Sequence, residues 1–299
     1  MKQQAVANSQ DRCDDPANEK AKLFAFEQVA DNHFRAALMP TALFRLYGGQ
    51  LTAQAVAAMQ RTVPDEMPIH SCHAYFIRAG DTTIPLDFVV SRDRDGRSFS
   101  SRRVEVRQAG DIIMTMAGSF HVPEEGPDYR CTIPDVPLPE GLRSMAEAIA
   151  EAGDRLPMWH RAFWRRDHLF DWRPVEPFNI FDGPPEPAHR HFWIKMKLPL
   201  GDDLNEHLRF FAHASDMNIL YTGFDPLGLG WARGNLHAAS LDHTIWFHDR
   251  FRVDDWLLYE MDSPILAGAR SLGRGKVFTR DGRFVASVAQ EGLLRILND

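Results

Sequence analysis

No apolar run in this 299-residue chain approaches the roughly 20 residues that a membrane-spanning helix needs, which predicts a chain without such a span. Residues Met1 to Lys20 carry no apolar core of the secretory type and read as a disordered polar tail. The last residues, Ile296-Leu297-Asn298-Asp299, are not the Ser-Lys-Leu type of peroxisomal address. Cysteine is scarce, odd in number and scattered, at Cys13, Cys72 and Cys131. That usage gives no disulfide framework and points to a reducing compartment, the cytoplasm. A basic excess is missing as well. The formal net charge of −7 argues against a nucleic-acid partner, although a local field can still hold a small polyanion.

Several reactive signatures are absent. There is no G-x-S-x-G elbow, no phosphate-binding P-loop and no H-E-x-x-H. Gly228, Gly230 and Gly234 have the wrong spacing for a dinucleotide loop and read as a turn. His70, Cys72 and His73 could suggest a metal, but strand alternation points His73 away from the other two. They read as ordinary strand residues, and no metal or cofactor is expected for the reaction.

What is present is ordinary globular composition, 44% hydrophobic and 25% charged, with length for two units. Two stretches repeat one pattern. His73-Ala74-Tyr75-Phe76, Arg103 to Val106 and Gly110 to Ala117 answer His243 to Phe247, Gly275 to Phe278 and Gly282 to Ala289. Each copy reads as strand, strand, turn, strand, with Gly110 and Gly282 where a hairpin needs positive φ. A helix precedes each copy. The first opens at Gly48-Gly49 with Leu51, Ala55, Ala58 and Met59 on one face. The second runs from about Asp203 to Leu220, with Leu208, Phe211, Ala212, Ser215 and Ile219 on one face. Both are poor in charge and predict burial under the sheet that follows. The fold class is therefore α+β: a tail at 1–20, a unit at 21–127, a connecting segment at 128–187 and a second unit at 188–299. The connecting segment carries Pro157, Trp159, Phe163, Trp164, Phe170, Trp172 and Phe178, too many large apolar groups for a flexible linker. It is expected to be helical near Leu142 to Ala152 and to pack across both units.

Three features fit a plain core poorly. Asp216 lies at the border of an apolar helix face, where a structural hydrogen-bonding role is the ordinary reading. Gln290 shares a strand face with Phe284, Ala286, Val288 and Leu294, and its amide needs partners at both ends. The basic run Arg92, Arg94, Arg97, Arg102 and Arg103 is either a solvated strand face or a set of phosphate contacts.

Ser215-Asp216-Met217-Asn218, then Ala239-Ser240-Leu241-Asp242-His243-Thr244-Ile245-Trp246-Phe247-His248, then Gln290-Glu291-Gly292 resemble the signature blocks of the acyl-CoA thioesterase II family. Tyr47-Gly48-Gly49-Gln50, His70 to Phe76, Arg78-Ala79-Gly80-Asp81 and Arg94 to Arg103 resemble further blocks in the same order. The resemblance covers about Phe24 to Arg295. It implies a double hot-dog fold, two fused units each with a sheet wrapped around a helix, and a homo-oligomer acting on acyl-CoA. It implies a catalytic acid, hydroxyl and amide at Asp216, Ser240 and Gln290, with serine where the family commonly has threonine. In that reading Asp216 is the general base for a water that Ser240 and Gln290 hold. Gly48, Gly49 and Gln50 open a helix whose amides suit an oxyanion, or serve close packing. Arg97, Arg102 and Arg103 would meet CoA phosphates. Two alternatives stay open: a hot-dog hydratase or dehydratase using His207 or His213 beside Asp216, and a non-catalytic acyl-CoA-binding protein.

Overall fold

The computed structural model describes residues 16–39, 45–157 and 169–297. Cys13, Trp159, Phe163 and Trp164 lie outside them. Within the described residues thirteen strands form one antiparallel sheet, and its order carries the duplication. The first half contributes β2 (His33–Ala36), β4 (Leu86–Asp95), β5 (Phe99–Gln108), β6 (Asp111–His121) and β3 (Ile69–Phe76), side by side in that order. The second half repeats the order in β8 (His189–Met196), β11 (Leu257–Ala267), β12 (Arg270–Thr279), β13 (Phe284–Ile296) and β10 (Asp242–Phe247). The halves join where β3 pairs with β10, Ala74 opposite His243. β1 (Phe26–Ala30) and β7 (Phe170–Pro174) close the two edges, and β9 (Leu236–Ser240) lies beside the end of β13. The hairpin turns sit where expected: Gly110 and Gly282 have φ of 90° and 93°. With no Cβ to clash, both adopt positive φ at little cost.

Each half wraps a central helix. α2 (Gly48–Gln60) is buried from Gly49 to Met59, and its alanines let the strands approach closely. Gly118 on β6 meets Met59 there, where a Cβ would fall 2.8 Å from Met59 Cε. The second central helix, α4 (Leu204–Ala214), starts at Asp203, whose carboxylate accepts from the Asn205 amide at 2.9 Å. Its apolar face seats Phe211 against Phe247, Phe251 and Tyr259. Full burial of each such side chain contributes about 1.5–3 kcal/mol. The two helices lie antiparallel: Gln60 bonds to Asn205 at one end, and Gly49 meets the His213 carbonyl at the other.

Several expectations need correction. The second central helix was expected to reach Leu220, but it ends at Ala214. Asn218 turns into the left-handed region at φ 68°, and Ile219–Leu227 continues as a 3-10 helix. Apolar spacing persists because the 3-10 segment buries Ile219, Leu220 and Phe224 in the same core. The expected tail also runs too far. Residues 16–20 belong to α1 (Pro16–Leu23), and Lys20 pairs with Glu206 on α4. The connecting segment contains α3 (Met145–Ala152), opened by a Ser144–Glu147 capping box, close to the expected place. Part of it packs on the second half. Cys131, Ile133, Val136 and Leu142 cover Trp193, Leu258 and Phe278 on the outer face of the second half, and β7 joins β8. Among the described residues no helix is long and apolar enough to cross a membrane.

Candidate active site

The helix end, the strand break and the first half's glycines converge on Asp216. α4 stops just before it, and the orphaned carbonyls of that last turn find side-chain donors. Tyr47 donates to His213 O at 2.8 Å and Tyr259 donates to Ser215 O at 2.9 Å. This fixes the turn that presents the carboxylate. Asp216 Oδ2 accepts from the Gly49 amide at 2.9 Å, so the positive end of α2 faces the acid. Both glycines are needed for that approach. A Cβ on Gly48 would lie 2.8 Å from Asp216 Oδ2, and one on Gly49 would lie 2.2 Å from His213 O. The glycines thus serve close packing of α2 on the end of α4, with Phe76 of β3 also close to Gly48. The Gly49 amide is spent on the carboxylate.

Ser240 arrives from a break in a strand. β13 pairs with β10 up to Ala289, opposite Thr244, and with β9 from Gly292, opposite Ser240. Between them Leu241 takes the Glu291 carbonyl and Asp242 takes the Glu291 amide. The break sets Ser240 Oγ beside the side chain of Gln290. Ser240 donates to Asp216 Oδ1 at 3.2 Å, and Gln290 Nε2 donates to Ser240 Oγ at 2.8 Å. The three residues singled out from the sequence therefore form one hydrogen-bonded chain.

The other end of that chain was not read from the sequence. Gln290 is 1% exposed and its Oε1 bonds to His243 Nδ1. His243 Nε2 meets Ser215 Oγ at 2.8 Å, and both residues are fully buried. Burial holds the His243 imidazole below its usual pKa, against the pull of Asp216 and Gln290. A neutral ring with its proton on Nδ1 donates to the amide oxygen and turns Nε2 to the Ser215 hydroxyl, whose one proton also faces Ala212 O at 3.1 Å. That pairing fixes which end of the Gln290 amide points at Ser240. A usable signal was present: His243 shares the buried face of β10 with Ile245 and Phe247, as Gln290 shares an apolar face of β13.

The phenols around the acid remain protonated. Burial first, and then the Asp216 charge, push Tyr47 and Tyr259 well above the usual range and Tyr221 up to about 12. Of the two other histidines weighed earlier, His207 bonds Gly201 O and the Val253 amide at the far end of α4. His213 packs its ring on Tyr47 and Phe170. A surface cleft lies elsewhere, between Arg250, Arg252, Trp256 and Arg280, and Arg252 and Arg280 are paired with acids.

The arginine expectations divide. Arg102 is 1% exposed. Its guanidinium bonds Thr62 Oγ1 and O, Arg94 O, Ser101 O and Asp95, so it is a buried tie between β5 and the end of α2 rather than a phosphate contact. Arg103 is exposed and held by Asp93 at 2.7 Å. Arg97 is exposed on the turn between β4 and β5.

The chain is similar to known proteins along most of its length. The acyl-CoA thioesterase family matches residues 160–293, and the acyl-CoA thioesterase N-terminal domain matches residues 37–121. Acyl-CoA thioesterase 2 of Haemophilus influenzae is 31% identical over 94% of this chain and 98% of its own length. The crystal structure of the acyl-CoA thioesterase II TesB2 from Mycobacterium marinum is 33% identical, covers 93% of this chain and 99% of its own, and superposes with a TM-score of 0.76. A hot-dog protein of unknown function from Alicyclobacillus acidocaldarius shares the fold at a TM-score of 0.74 and 15% identity, over 93% of this chain and 98% of its own.

Proposed function

Because the chain belongs to the acyl-CoA thioesterase family and has its double hot-dog fold, we propose that it hydrolyses acyl-CoA with a water activated by Asp216 and held by Ser240 and Gln290. The observation that carries this reading is the chain Gln290 to Ser240 to Asp216, closed on the far side of the carboxylate by the Gly49 amide. Each carboxylate oxygen accepts one bond there and keeps a further acceptor site for water. The second N–H of Gln290 and the remaining lone pair of Ser240 hold the same water.

In the step that follows, the water oxygen attacks the thioester carbonyl carbon and its proton passes to Asp216. The carbonyl oxygen becomes an oxyanion. Gly48 and Gln50 supply the first-turn amides of α2 that Asp216 does not use, and these are its donors. Collapse breaks the carbon–sulfur bond. The CoA thiolate leaves and takes up the proton, giving free fatty acid and CoA. Exposed Arg97 and Arg103 remain candidates for the CoA phosphates.

The same reading makes the protein a cytoplasmic homo-oligomer. The free thiols of Cys72 and Cys131 support a reducing compartment. The outward faces of β3 and β10 expose Tyr75 and Trp246, with Ile77 beyond β3, large groups among polar neighbours on a face suited to a second copy.

The test follows free thiol and fatty acid together over acyl-CoAs of increasing chain length. Equal amounts of both products are expected. A change in enoyl absorbance without thiol would point to a hydratase, and binding without either product to an acyl-CoA carrier.

A further inference from the structure

On the other face of the second half's sheet lies a cluster that the hydrolysis does not use. His189 and His191 stand two apart on β8 and therefore share a face. Glu260 on β11 is the cross-strand partner of His191. One ligand atom from each of the three lies within 4.8 Å of the others. The rings of His189 and His191 meet edge to face at 4.6 Å, and His189 Nε2 is 3.2 Å from Glu260 Oε1. Tyr259 and Met261 flank Glu260 and point to the opposite side, where Tyr259 bonds the turn before Asp216.

His191 makes this more than a surface grouping. Its side chain is 8% exposed, and its Nδ1 is 2.6 Å from the Glu176 carboxylate, which also takes the His191 amide at 2.8 Å. A carboxylate on Nδ1 puts the proton there and leaves Nε2 a bare lone pair. That Nε2 is buried and has no hydrogen-bond partner, a costly state for a polar nitrogen. Imidazoles that ligate metals are commonly oriented by a carboxylate on the other ring nitrogen in this way.

We propose that His189, His191 and Glu260 bind a divalent transition-metal ion, with zinc as the representative, and that Glu176 orients His191 from behind. Two imidazoles and a carboxylate suit zinc at about 2.0–2.2 Å, with water as a fourth ligand. Tetrahedral ligands at that length lie roughly 3.3 Å apart, so a small rotation of the more exposed His189 closes the set. Glu176 and Glu260 together balance the ion's charge. The ion ties β8 to β11 beside the connecting segment that covers this face. Lys276 works against it, since its ammonium lies 3.2 Å from both Glu260 oxygens and must move aside.

The test is equilibrium dialysis of the metal-free protein against micromolar zinc, with bound metal measured directly, beside thermal unfolding with and without zinc. The wild type is expected to bind one ion at this site and to unfold at a higher temperature with it. His189→Gln should abolish that shift and weaken binding more than tenfold. Glu176→Gln should weaken it by about 10- to 100-fold. Lys276→Gln should strengthen it, which a general loss of folding would not do. His189 and Lys276 are both exposed, so these two variants leave the fold intact. No uptake by the wild type, or the same affinity in wild type, His189→Gln and Lys276→Gln, would overturn the site.

Discussion

Asp216→Asn should lower kcat by about 10²–10⁴-fold while the protein stays folded and KM changes little. Asparagine keeps the size of the side chain and one acceptor oxygen. It cannot take a proton from water at neutral pH. The amide must also face two donors, the Gly49 N–H and the Ser240 O–H, with only one acceptor between them. One of those bonds breaks and the hydroxyl turns away, so water placement fails together with proton transfer. Thiol release from acyl-CoA, with circular dichroism as the folding control, checks the result. A residual rate within about threefold of wild type would remove Asp216 from the role of base.

Arg190→Met should cost about 3–5 kcal/mol of folding stability, by leaving a buried carboxylate alone. Arg190 on β8 and Asp225 in the 3-10 segment are both almost fully buried and bond to each other through two nitrogens and two oxygens. The guanidinium also lies on the ring of Phe178. Burial pushes the Asp225 carboxyl above its ordinary range even with Arg190 beside it. The folded protein therefore prefers its protonated form more than the unfolded chain does. A raised carboxyl pKa favours folding fully below the unfolded value near 3.9 and loses that contribution as pH rises through the folded value. The deficit of Arg190→Met should accordingly narrow as pH falls through that window. Arg190→Met combined with Asp225→Leu should recover most of the loss, because the pair itself carries a large desolvation cost. Urea unfolding across pH measures all three. An unchanged midpoint for the single variant would contradict the pairing.

The duplication was legible because it rests on local chemistry. Strand periodicity and the turn glycines Gly110 and Gly282 need no long-range information, whereas the strand order does, since β3 lies beside β6 and β2 beside β4. The end of α4 was not legible from periodicity, since Ile219 and Phe224 keep the apolar rhythm through a change of helix type. Arg102 was misread because charge was weighed ahead of alternation. It shares the buried face of β5 with Ser100, Val104 and Val106, and alternation alone places it inside. Its partners Thr62 and Asp95 come from elsewhere in the fold. The Asp216, Ser240 and Gln290 set came from family resemblance. The contact among them depends on a strand break that propensity does not show. His243 and Ser215 escaped notice because a buried polar side chain only acquires meaning once its partner is known.

The most direct test of water activation is a single turnover in ¹⁸O-labelled water, with enzyme in excess over acyl-CoA. Direct attack by a water that Asp216 deprotonates predicts one ¹⁸O in the fatty acid from the first turnover and none in the peptide containing Asp216. An unlabelled first-turnover acid, or label in that peptide, would mean that the carboxylate itself attacks the thioester, and would contradict general-base hydrolysis.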